Sequence, residues 1–438
     1  MPLVTSTAGS YRPIKLSHQK RESKKLSSET QLSKLTHEAK SSTPSYLDLL
    51  DSQIGPKPDQ LYASVSASTD DDEEDATALT STSQFIVGSR KSCLAVTQTK
   101  QVVALLQQVL PTATFPLNLI STTGDKIQSV SLSKIGEKAL FTKELEYALM
   151  DSAVDLVVHS LKDLPTVLPD GMAISAILKR EDPRDVSIMS SKYSCCTLAT
   201  LPEGSVVGTS SVRRIAQLKR AYPHLVFQDI RGNLNTRFAK LNAEDSIYSA
   251  IILAAAGVHR LGFTHTIGEY IDSDVMLYAV GQGALAIETR SNDYRVESLL
   301  KHVVDTRTML TCTAERALMR CLEGGCSVPI GVNCTWANSD QQGAGDQIIG
   351  SHQTDVSAMQ FMRLVGMVSS VDGKDYLKCS HVGFVVPKEI VPVIDQFELL
   401  DNAQIELLVS NAEKVGCDLA KQMIALGADH ILADIPRH

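Results

Sequence analysis

The chain has 438 residues, a formal net charge of −8, 43% hydrophobic residues and 21% charged residues. This is the composition of a folded protein, and at roughly 150 residues per domain its length predicts two or three domains. The acidic balance argues against a general nucleic-acid binder, which needs a basic surface. No run approaches the roughly 18 apolar residues that span a bilayer, so we expect neither a nucleic acid nor a membrane as a partner.

Residues 1–83 are rich in Ser and Thr, contain only three tyrosines as aromatic residues, and include the acidic run 70–75. Such a segment lacks the apolar surface that a core needs, and we predict a disordered N-terminal extension. Its first 47 residues carry eight Lys or Arg against three Glu. A solvated extension and an organelle-targeting peptide therefore both remain open.

Nine cysteines, an odd number, occur without the paired CxxC spacing of a structural zinc site. We interpret them as reduced thiols in an intracellular compartment. The N-terminus lacks the apolar segment of a secretory signal. We therefore expect a cytoplasmic protein, with import into an organelle as the alternative.

Strands and helices alternate from residue 84 onward. We predict a strand at 85–89, a helix from Ser92 to Leu110, a strand within 117–122, a loop at 122–126, a helix near 141–151 and a buried strand within 155–161. Strand, helix and strand in this order are typical of a parallel sheet. We expect a first α/β domain over residues 84–180.

The same alternation recurs further along the chain. Strand and helix pairs within 205–222 and 225–241, followed by the apolar run 249–257, predict a second α/β domain over residues 181–280. We interpret residues 278–290 as a loop in which the Gly-Gln-Gly run 281–283 suits a hinge or a close approach of the backbone. A helix that ends at a glycine pair, two strands, and a helix near 402–426 predict a smaller α+β domain over residues 305–438.

Three turns place hydroxyl or basic side chains where a predicted strand ends and a helix begins. These turns lie at 88–92, 208–214 and 231–237, and in α/β sheets such turns form the edge at which ligands bind. Six arginines lie on or beside the turns: Arg90, Arg213, Arg214, Arg231, Arg237 and Arg260. Guanidinium groups bind planar carboxylates in a bidentate manner, so we predict an anionic ligand. Solvated or ion-paired surface arginines are the alternative for any one of them.

Asp163 follows an apolar strand and precedes Pro165, which prevents a helix from continuing. A carboxylate held among cations can stabilise a developing positive charge or deliver a proton to a leaving amine. A turn or capping aspartate is the alternative interpretation. Cys326 follows a glycine pair in a short loop, where a thiol can act as a nucleophile or a covalent tether, although most free cysteines are inert core residues.

His159 is interpreted as a structural hydrogen-bonding residue, because no second ligand stands at metal-binding spacing. We therefore predict no metal.

Nine motifs in unbroken order between 84 and 335 closely resemble hydroxymethylbilane synthase, also called porphobilinogen deaminase. They are GSRKSCLA, TTGDK, SKIGEKALFTKELE, VVHSLKDLP, GTSSVRR, IRGNLNTR, AAAGVHRLG, VGQGAL and AERALMRCLEGGCSVPIG. The resemblance implies an α/β fold of two periplasmic-binding-protein-like domains with a cleft between them, plus a smaller α+β C-terminal domain. It also implies that residues 281–304 return to the first domain.

The resemblance implies a transferase of heme and porphyrin biosynthesis, expected to be monomeric. Such an enzyme deaminates porphobilinogen and joins four molecules head to tail on a covalent dipyrromethane cofactor, releasing the linear tetrapyrrole hydroxymethylbilane. By matching motif, Cys326 would carry the cofactor through a thioether and Asp163 would assist loss of ammonia and the coupling step. Besides the six arginines, the residues expected at the cofactor and substrate are Ser92, Gln98, Lys134, Lys138, Phe141, Ser160, Lys162, Ser210, Ser211, Gln282 and Gly283.

A non-catalytic binding module is the competing hypothesis, because two α/β lobes around a carboxylate ligand would serve a solute sensor equally well. Such a module needs neither a tethering thiol nor an acid, so Cys326 and Asp163 distinguish the two hypotheses. Beyond about residue 335 the resemblance weakens, and 371–415 matches the family poorly.

Overall fold

The computed structural model describes residues 83–126, 141–322, 328–337 and 359–435. The predicted extension 1–83 therefore lies outside the described residues except for Ser83. Ser83 belongs to the folded part, because its carbonyl accepts a hydrogen bond from the Thr114 amide at 3.0 Å. The described chain forms two five-stranded sheets and one three-stranded sheet, each with helices packed on it.

The first sheet has the strand order β2-β1-β3-β10-β4. Its strands are β1 (Val87–Arg90), β2 (Leu117–Ile120), β3 (Leu156–Ser160), β4 (Met172–Ile177) and β10 (Leu285–Arg290). Strand β1 pairs in parallel with β2 and β3, whereas β10 runs antiparallel to both β3 and β4. The helices of this part are α1 (Cys93–Val109), α2 (Thr123–Lys126), α3 (Lys143–Met150) and α7 (Tyr294–Leu300).

Two predictions for this region are wrong. Residues 285–290, predicted as part of a loop, form β10 because the buried run Leu285–Ala286–Ile287 fills the space between β3 and β4. The predicted loop at 122–126 contains the single helical turn α2, whose Asp125 carboxylate accepts hydrogen bonds from Thr122. The parallel arrangement predicted from alternation holds for β1, β2 and β3, while β10 makes the sheet mixed.

The second sheet has the strand order β7-β6-β8-β5-β9. Its strands are β5 (Asp185–Met189), β6 (Val206–Gly208), β7 (Val226–Gln228), β8 (Ala250–Ala254) and β9 (Glu269–Tyr270), and its helices are α4 (Val212–Ala221), α5 (Leu234–Leu241) and α6 (Ala255–Arg260). Strands β6, β7 and β8 are parallel, as predicted, and β5 runs antiparallel to β8 and β9. Apolar clusters on both faces of β8 bury this sheet on two sides.

The third sheet is an antiparallel meander, β11-β12-β13. Its strands are β11 (Ile330–Ala337), β12 (Gln360–Ser369) and β13 (Tyr376–Val386), and its helices are α8 (Thr306–Cys321), α9 (Asn402–Ala425) and α10 (Ala428–Ala433). Helices α8 and α9 pack closely, because Gly416 of α9 lies against the backbone of Ala314, where a Cβ atom would come within 2.2 Å of the carbonyl oxygen. Strand β13 was not predicted from the sequence.

The predicted fold class is confirmed, with two mixed α/β sheets followed by a smaller α+β part. Each sheet supports one of the three predicted domains, whose boundaries remain predictions. No helix among the described residues is long and apolar enough to cross a bilayer.

Candidate active site

Three helix-capping hydroxyl or amide side chains fix the turns predicted to bind anions. Ser92 caps α1 by accepting from the Ala95 amide at 3.3 Å, and Ser211 caps α4 by accepting from the Arg214 amide at 3.5 Å. Asn233 caps α5 in the same way. Because a capped helix N-terminus fixes the chain that enters it, the neighbouring basic side chains start from fixed backbone positions.

At the end of β1, Arg90 forms an ion pair with Asp125 at 2.5 Å and stacks on the Phe141 ring at 4.2 Å from its centroid. Burial opposes ionisation of Asp125, but Arg90 and the hydrogen bonds from Thr122 lower its pKa overall. Arg90 and Phe141 are thus in contact, as their common assignment to the site requires. The predicted ligand role of Arg90 would have to coexist with this internal ion pair.

A buried carboxylate, Asp185, organises the start of α4. Arg213 donates to its Oδ2 at 2.8 Å, and Arg214 donates to its Oδ1 at 2.7 Å and 3.1 Å. All three side chains are at least 92% buried. Although burial raises the pKa of Asp185, the two guanidinium groups outweigh it and lower that pKa to about 2. Asp185 is therefore ionised, and the three groups together carry one excess positive charge.

Both arginines also donate to backbone carbonyls, Arg213 to Leu277 at 2.5 Å and Arg214 to Ile252 at 2.8 Å. The predicted ligand role of this pair stays a prediction, because the structure gives most of these donors internal acceptors.

Gln282 connects the arginine pair to Lys162 in the first sheet region. Its amide nitrogen donates to Asp185 Oδ1 at 2.9 Å and to the Pro183 carbonyl at 2.7 Å, while its amide oxygen accepts from Lys162 Nζ at 3.3 Å. Gln282 is 1% exposed. Burial lowers the pKa of Lys162 to about 8; the carboxylates of Asp163 and Asp185 oppose this shift, and Arg214 and Arg213 add to it.

Further positive charge lies at the neighbouring turn. Burial, with a smaller contribution from the nearby cations Arg214 and Arg231, lowers the pKa of Arg237 to about 10. Arg237 Nε donates to the Gly232 carbonyl at 2.9 Å, whereas Arg231 Nε is buried without a hydrogen bond among the described residues. We call Lys162, Arg213, Arg214, Arg231 and Arg237 the cationic cluster. Asp185 is its buried counter-ion, and Asp163 acts electrostatically on Lys162. The Asp185–Arg213–Arg214 group still carries one excess positive charge.

The hinge glycine Gly283 lies beside the cationic cluster. Its φ is +93°, and a Cβ atom there would come within 2.3 Å of the Glu181 carbonyl oxygen, so only glycine fits. Arg260 donates to the Gly283 carbonyl at 2.7 Å, and burial lowers the pKa of Arg260 against the opposing effect of Glu181. Gly283 and Arg260 therefore hold the connection between the first two sheets.

Asp163 ends a short 3₁₀ turn, Leu161–Asp163, at the end of β3. Its side chain is exposed, and within the described residues its carboxylate has no hydrogen bond or ion pair. The capping interpretation thus finds no support in the described hydrogen bonds. The turn itself is fixed: the Leu161 amide donates to the Ala284 carbonyl at 3.0 Å, and Arg316 of α8 donates to the Pro165 carbonyl at 2.8 Å.

Other predicted site residues have internal partners. Gln98 donates to Ser160 Oγ at 2.9 Å, which places both at the end of β3 near Lys162. Ser210 donates to the Ile230 carbonyl at 2.9 Å, which joins the turns after β6 and β7. Lys134, Lys138 and Cys326 lie outside the described residues. The described part of the chain contains no group of three or more metal-ligating side chains.

Sequence reasoning missed three buried charged residues near this site. Asp185 was assigned no element and no role from the sequence, although a carboxylate at the start of an apolar strand indicates a buried partner. Arg180 and Glu315 form a bidentate ion pair at 2.6 and 2.9 Å. Glu315 also accepts from the Gly281 amide at 2.8 Å, so α8 contacts the hinge directly. No sequence spacing indicates these pairs.

His159 is buried against Glu288 of β10, with its Nε2 atom 2.9 Å from a carboxylate oxygen and both side chains almost fully buried. The burial agrees with the predicted structural role, but Nε2 and both Glu288 oxygens have no hydrogen bond among the described residues. The hydrogen bond predicted for His159 is therefore not seen at Nε2.

Among solved structures, the chain is similar to the periplasmic VFT2 domain of BvgS from Bordetella pertussis, at 13% identity and a TM-score of 0.32, covering 53% of this chain and 91% of that domain. It is also similar to the methionine binding protein MetQ, at 13% identity and a TM-score of 0.31, covering 49% of this chain and 88% of that one. Likeness at this level carries no argument.

The sequence comparisons are far stronger. A porphobilinogen deaminase from Prochlorococcus marinus (strain MIT 9215) is 44% identical over 349 residues, covering 80% of this chain and 95% of that protein. One from Yarrowia lipolytica is 42% identical over 354 residues, covering 80% and 92%, and one from Dictyostelium discoideum is 44% identical over 308 residues, covering 70% and 90%.

Two family models also match. "Porphobilinogen deaminase, dipyromethane cofactor binding domain" matches residues 85–298, and "Porphobilinogen deaminase, C-terminal domain" matches residues 309–390. The second match includes most of the region in which the sequence motifs weaken. The chain therefore belongs to the porphobilinogen deaminase family.

Proposed function

We propose that this chain is a working hydroxymethylbilane synthase, a transferase that deaminates four molecules of porphobilinogen and joins them head to tail on a dipyrromethane cofactor. Hydroxymethylbilane, the precursor of porphyrins and heme, is the product released. Family membership over residues 85–298 and 309–390 supports the activity and the cofactor. The excess positive charge of the Asp185–Arg213–Arg214 group, which acts on Lys162 beside Asp163, is the structural observation that carries the proposal.

The residues present fit a cofactor and substrate that are rich in carboxylates. Each porphobilinogen brings an acetate and a propionate, and the chain must hold several such pairs together. Arg231 Nε is buried without a hydrogen bond within the described residues, and the pKa of Arg237 falls to about 10 because burial and neighbouring cations disfavour its charge. Bound carboxylates would relieve both conditions, since a charged acceptor stabilises a buried guanidinium group.

Asp163 is proposed as the catalytic residue. When ammonia leaves porphobilinogen, positive charge develops on the pyrrole, and a fixed carboxylate stabilises that charge. Asp163 can also deliver a proton to the departing amine, which makes it a better leaving group. Two features support these roles. Its carboxylate has no hydrogen bond or ion pair among the described residues, and its turn is fixed by hydrogen bonds from Leu161 and Arg316.

Lys162, Arg231 and Arg237 are proposed to bind the acetate and propionate groups. Arg213 and Arg214 contribute mainly electrostatically, because Asp185 and backbone carbonyls already accept from them. Ser160, Gln98, Ser210 and Ser211 are proposed to complete the polar lining. Arg90, Ser92, Phe141, Arg260, Gln282 and Gly283 are proposed to shape the site, and Lys134 and Lys138 to add charge to it.

Cys326 is proposed to carry the cofactor through a thioether bond. When bound, the dipyrromethane supplies the pyrrole position to which the first substrate is joined. The role of Cys326 rests on its motif, GGCSVPIG, because this loop lies outside the described residues. Helix α8 ends at Cys321, and its Glu315 and Arg316 contact the hinge and the Asp163 turn.

Porphobilinogen consumption by the purified full-length chain tests the activity. We expect loss of porphobilinogen, release of about one ammonia per molecule consumed, and formation of a linear tetrapyrrole that cyclises on standing. A protein that binds porphobilinogen without releasing ammonia would instead support the binding-module hypothesis.

We also propose that the enzyme is a monomer in the cytoplasm, with no nucleic acid or membrane as a partner. The acidic net charge of −8 supports the first of these absences. Light scattering of the purified chain tests the oligomeric state. A fluorescent fusion of the full chain, compared with one that starts at Ser83, tests whether the extension directs import into an organelle.

A further inference from the structure

A buried hydrogen-bonded chain runs from the arginine pair of α4 to the lysine beside Asp163. Its members are Arg213, Arg214, Asp185, Gln282 and Lys162. Arg213 and Arg214 lie on α4 and Asp185 begins β5, so these three residues belong to the region of the second sheet. Lys162 follows β3 of the first sheet, and Gln282 lies in the segment 281–283 that connects the two sheets. The proposed function uses the cations of this chain, gives no role to Asp185, and assigns Gln282 only to the shape of the site.

Asp185 has a geometry that fixes both arginines at once. Each of its oxygens accepts from a different guanidinium group, and Oδ1 also accepts from Gln282. Two buried guanidinium groups side by side repel each other and both stay protonated, so without the carboxylate they would separate. Asp185 thus sets the spacing of the positive charge at this end of α4.

Gln282 links Asp185 to Lys162, because its side-chain amide can adopt only one orientation. Its nitrogen must donate to Asp185 and Pro183, which turns its oxygen toward Lys162 Nζ at 3.3 Å. The peptide around it is held as well, since Arg180 donates to the Gln282 carbonyl at 2.8 Å. The Lys162 ammonium group is therefore directed by a residue whose own orientation Asp185 determines.

We propose that Asp185 and Gln282 are positioning residues, which hold the arginine pair and Lys162 in one arrangement so that carboxylates of the growing pyrrole chain bind beside Asp163. This inference rests on the proposed function for the ligand it names. The arrangement itself is a property of the protein alone, and it can be measured whether or not porphobilinogen is turned over.

The pKa of Lys162 reports the arrangement. The charged groups that act on it are Asp163 on its own turn, Asp185 on β5, and Arg213 and Arg214 on α4. Asp185 raises this pKa, so Asp185→Asn should lower it from about 8 by at least about half a unit. Gln282→Met removes the amide oxygen that accepts from Lys162 and should shift the pKa in the same direction.

Asp182→Asn is the matched control. The Asp182 carboxylate pairs with Arg184 at 2.6 Å in the same segment, near the surface, and within the described residues it forms no hydrogen bond or ion pair with these five residues. Its loss should leave the pKa of Lys162 unchanged. If Asp185→Asn fails to fold, Gln282→Met still tests the proposal, because that variant keeps both arginine–carboxylate ion pairs.

Competitive acetylation of the holoenzyme over a range of pH, read by peptide mass spectrometry, gives the pKa of Lys162 directly. We expect a lower value in Asp185→Asn and Gln282→Met and no change in Asp182→Asn. We also expect kcat/KM for porphobilinogen to fall at least about tenfold in both variants, mainly through KM. An unshifted pKa in a folded variant would overturn the proposal and reduce Asp185 to a structural residue. Inactive wild-type protein with the expected shifts would instead contradict the proposed function alone.

Discussion

The substitution Asp163→Asn distinguishes a catalytic role of this carboxylate from a structural one, because the two roles predict different effects on turnover and on the free energy of unfolding. The Asp163 side chain is exposed and has no hydrogen bond or ion pair within the described residues. The turn is held instead by Leu161 and Arg316. The substitution keeps size and removes charge, so the free energy of unfolding should change by less than about 0.5 kcal/mol. Turnover should nevertheless fall at least about 100-fold, which corresponds to about 2.7 kcal/mol of transition-state stabilisation.

The same substitution has a second, independent effect. Because the Asp163 carboxylate raises the pKa of Lys162, its loss should move that pKa below about 8. Ammonia release in a single turnover, thermal unfolding and the pKa of Lys162 should be measured on one preparation. Asp170→Asn is the control, because Asp170 is an exposed aspartate later in the same connection.

The reasoning fails if Asp163→Asn turns over at a rate close to that of the unaltered enzyme. A loss of stability that parallels the loss of rate would also contradict it, because the described contacts of Asp163 give no reason for such a loss. The control should match the unaltered enzyme in every measurement.

Three further outcomes are expected. A chain that starts at Ser83, which keeps its hydrogen bond to Thr114, should retain full turnover in a porphobilinogen assay; a large loss would mean that the removed residues support the fold. Burial lowers the pKa of Lys162 to about 8, so its positive charge is lost as the pH rises through that value. The KM for porphobilinogen should therefore increase on the alkaline side of about pH 8. A KM that does not change with pH would contradict the binding role of Lys162. Cys321 and Cys417, whose sulfur atoms lie 2.9 Å apart, should form a disulfide when treated with oxidised glutathione, releasing two glutathione thiols; peptide mass spectrometry that finds both still reduced would refute this.

The sequence predicted the fold where local pattern decides the structure. Helix α1, helix α9 and the parallel strands β6, β7 and β8 were predicted because apolar periodicity acts within a few residues. Strand β10 was missed because the nearby glycines at 281 and 283 indicated a loop. What makes 285–290 a strand is its position between β3 and β4, both more than 100 residues earlier.

The candidate site was predicted only in part, because some of its residues follow from local pattern and others depend on long-range contacts. Arginines at strand ends are visible in the sequence because their position follows from the alternation of elements. The partner of Arg213 and Arg214 is not, since Asp185 reaches them only after β5 inserts beside β8. The hydrogen bonds of Gln282 likewise depend on a hinge that brings two sheets together.

The mass of the tryptic peptide that contains Cys326, taken from purified active enzyme, tests covalent attachment of the cofactor at this residue. We predict that this peptide carries two linked pyrrole rings. We also predict that Cys326→Ser yields a folded protein without the added mass and without turnover, because a hydroxyl is a far poorer nucleophile than a thiolate. Cys321→Ser, altered in the helix that precedes the loop, should keep both the added mass and the activity. An unmodified Cys326 in active enzyme, or the two rings found on Cys321, would contradict the proposed attachment.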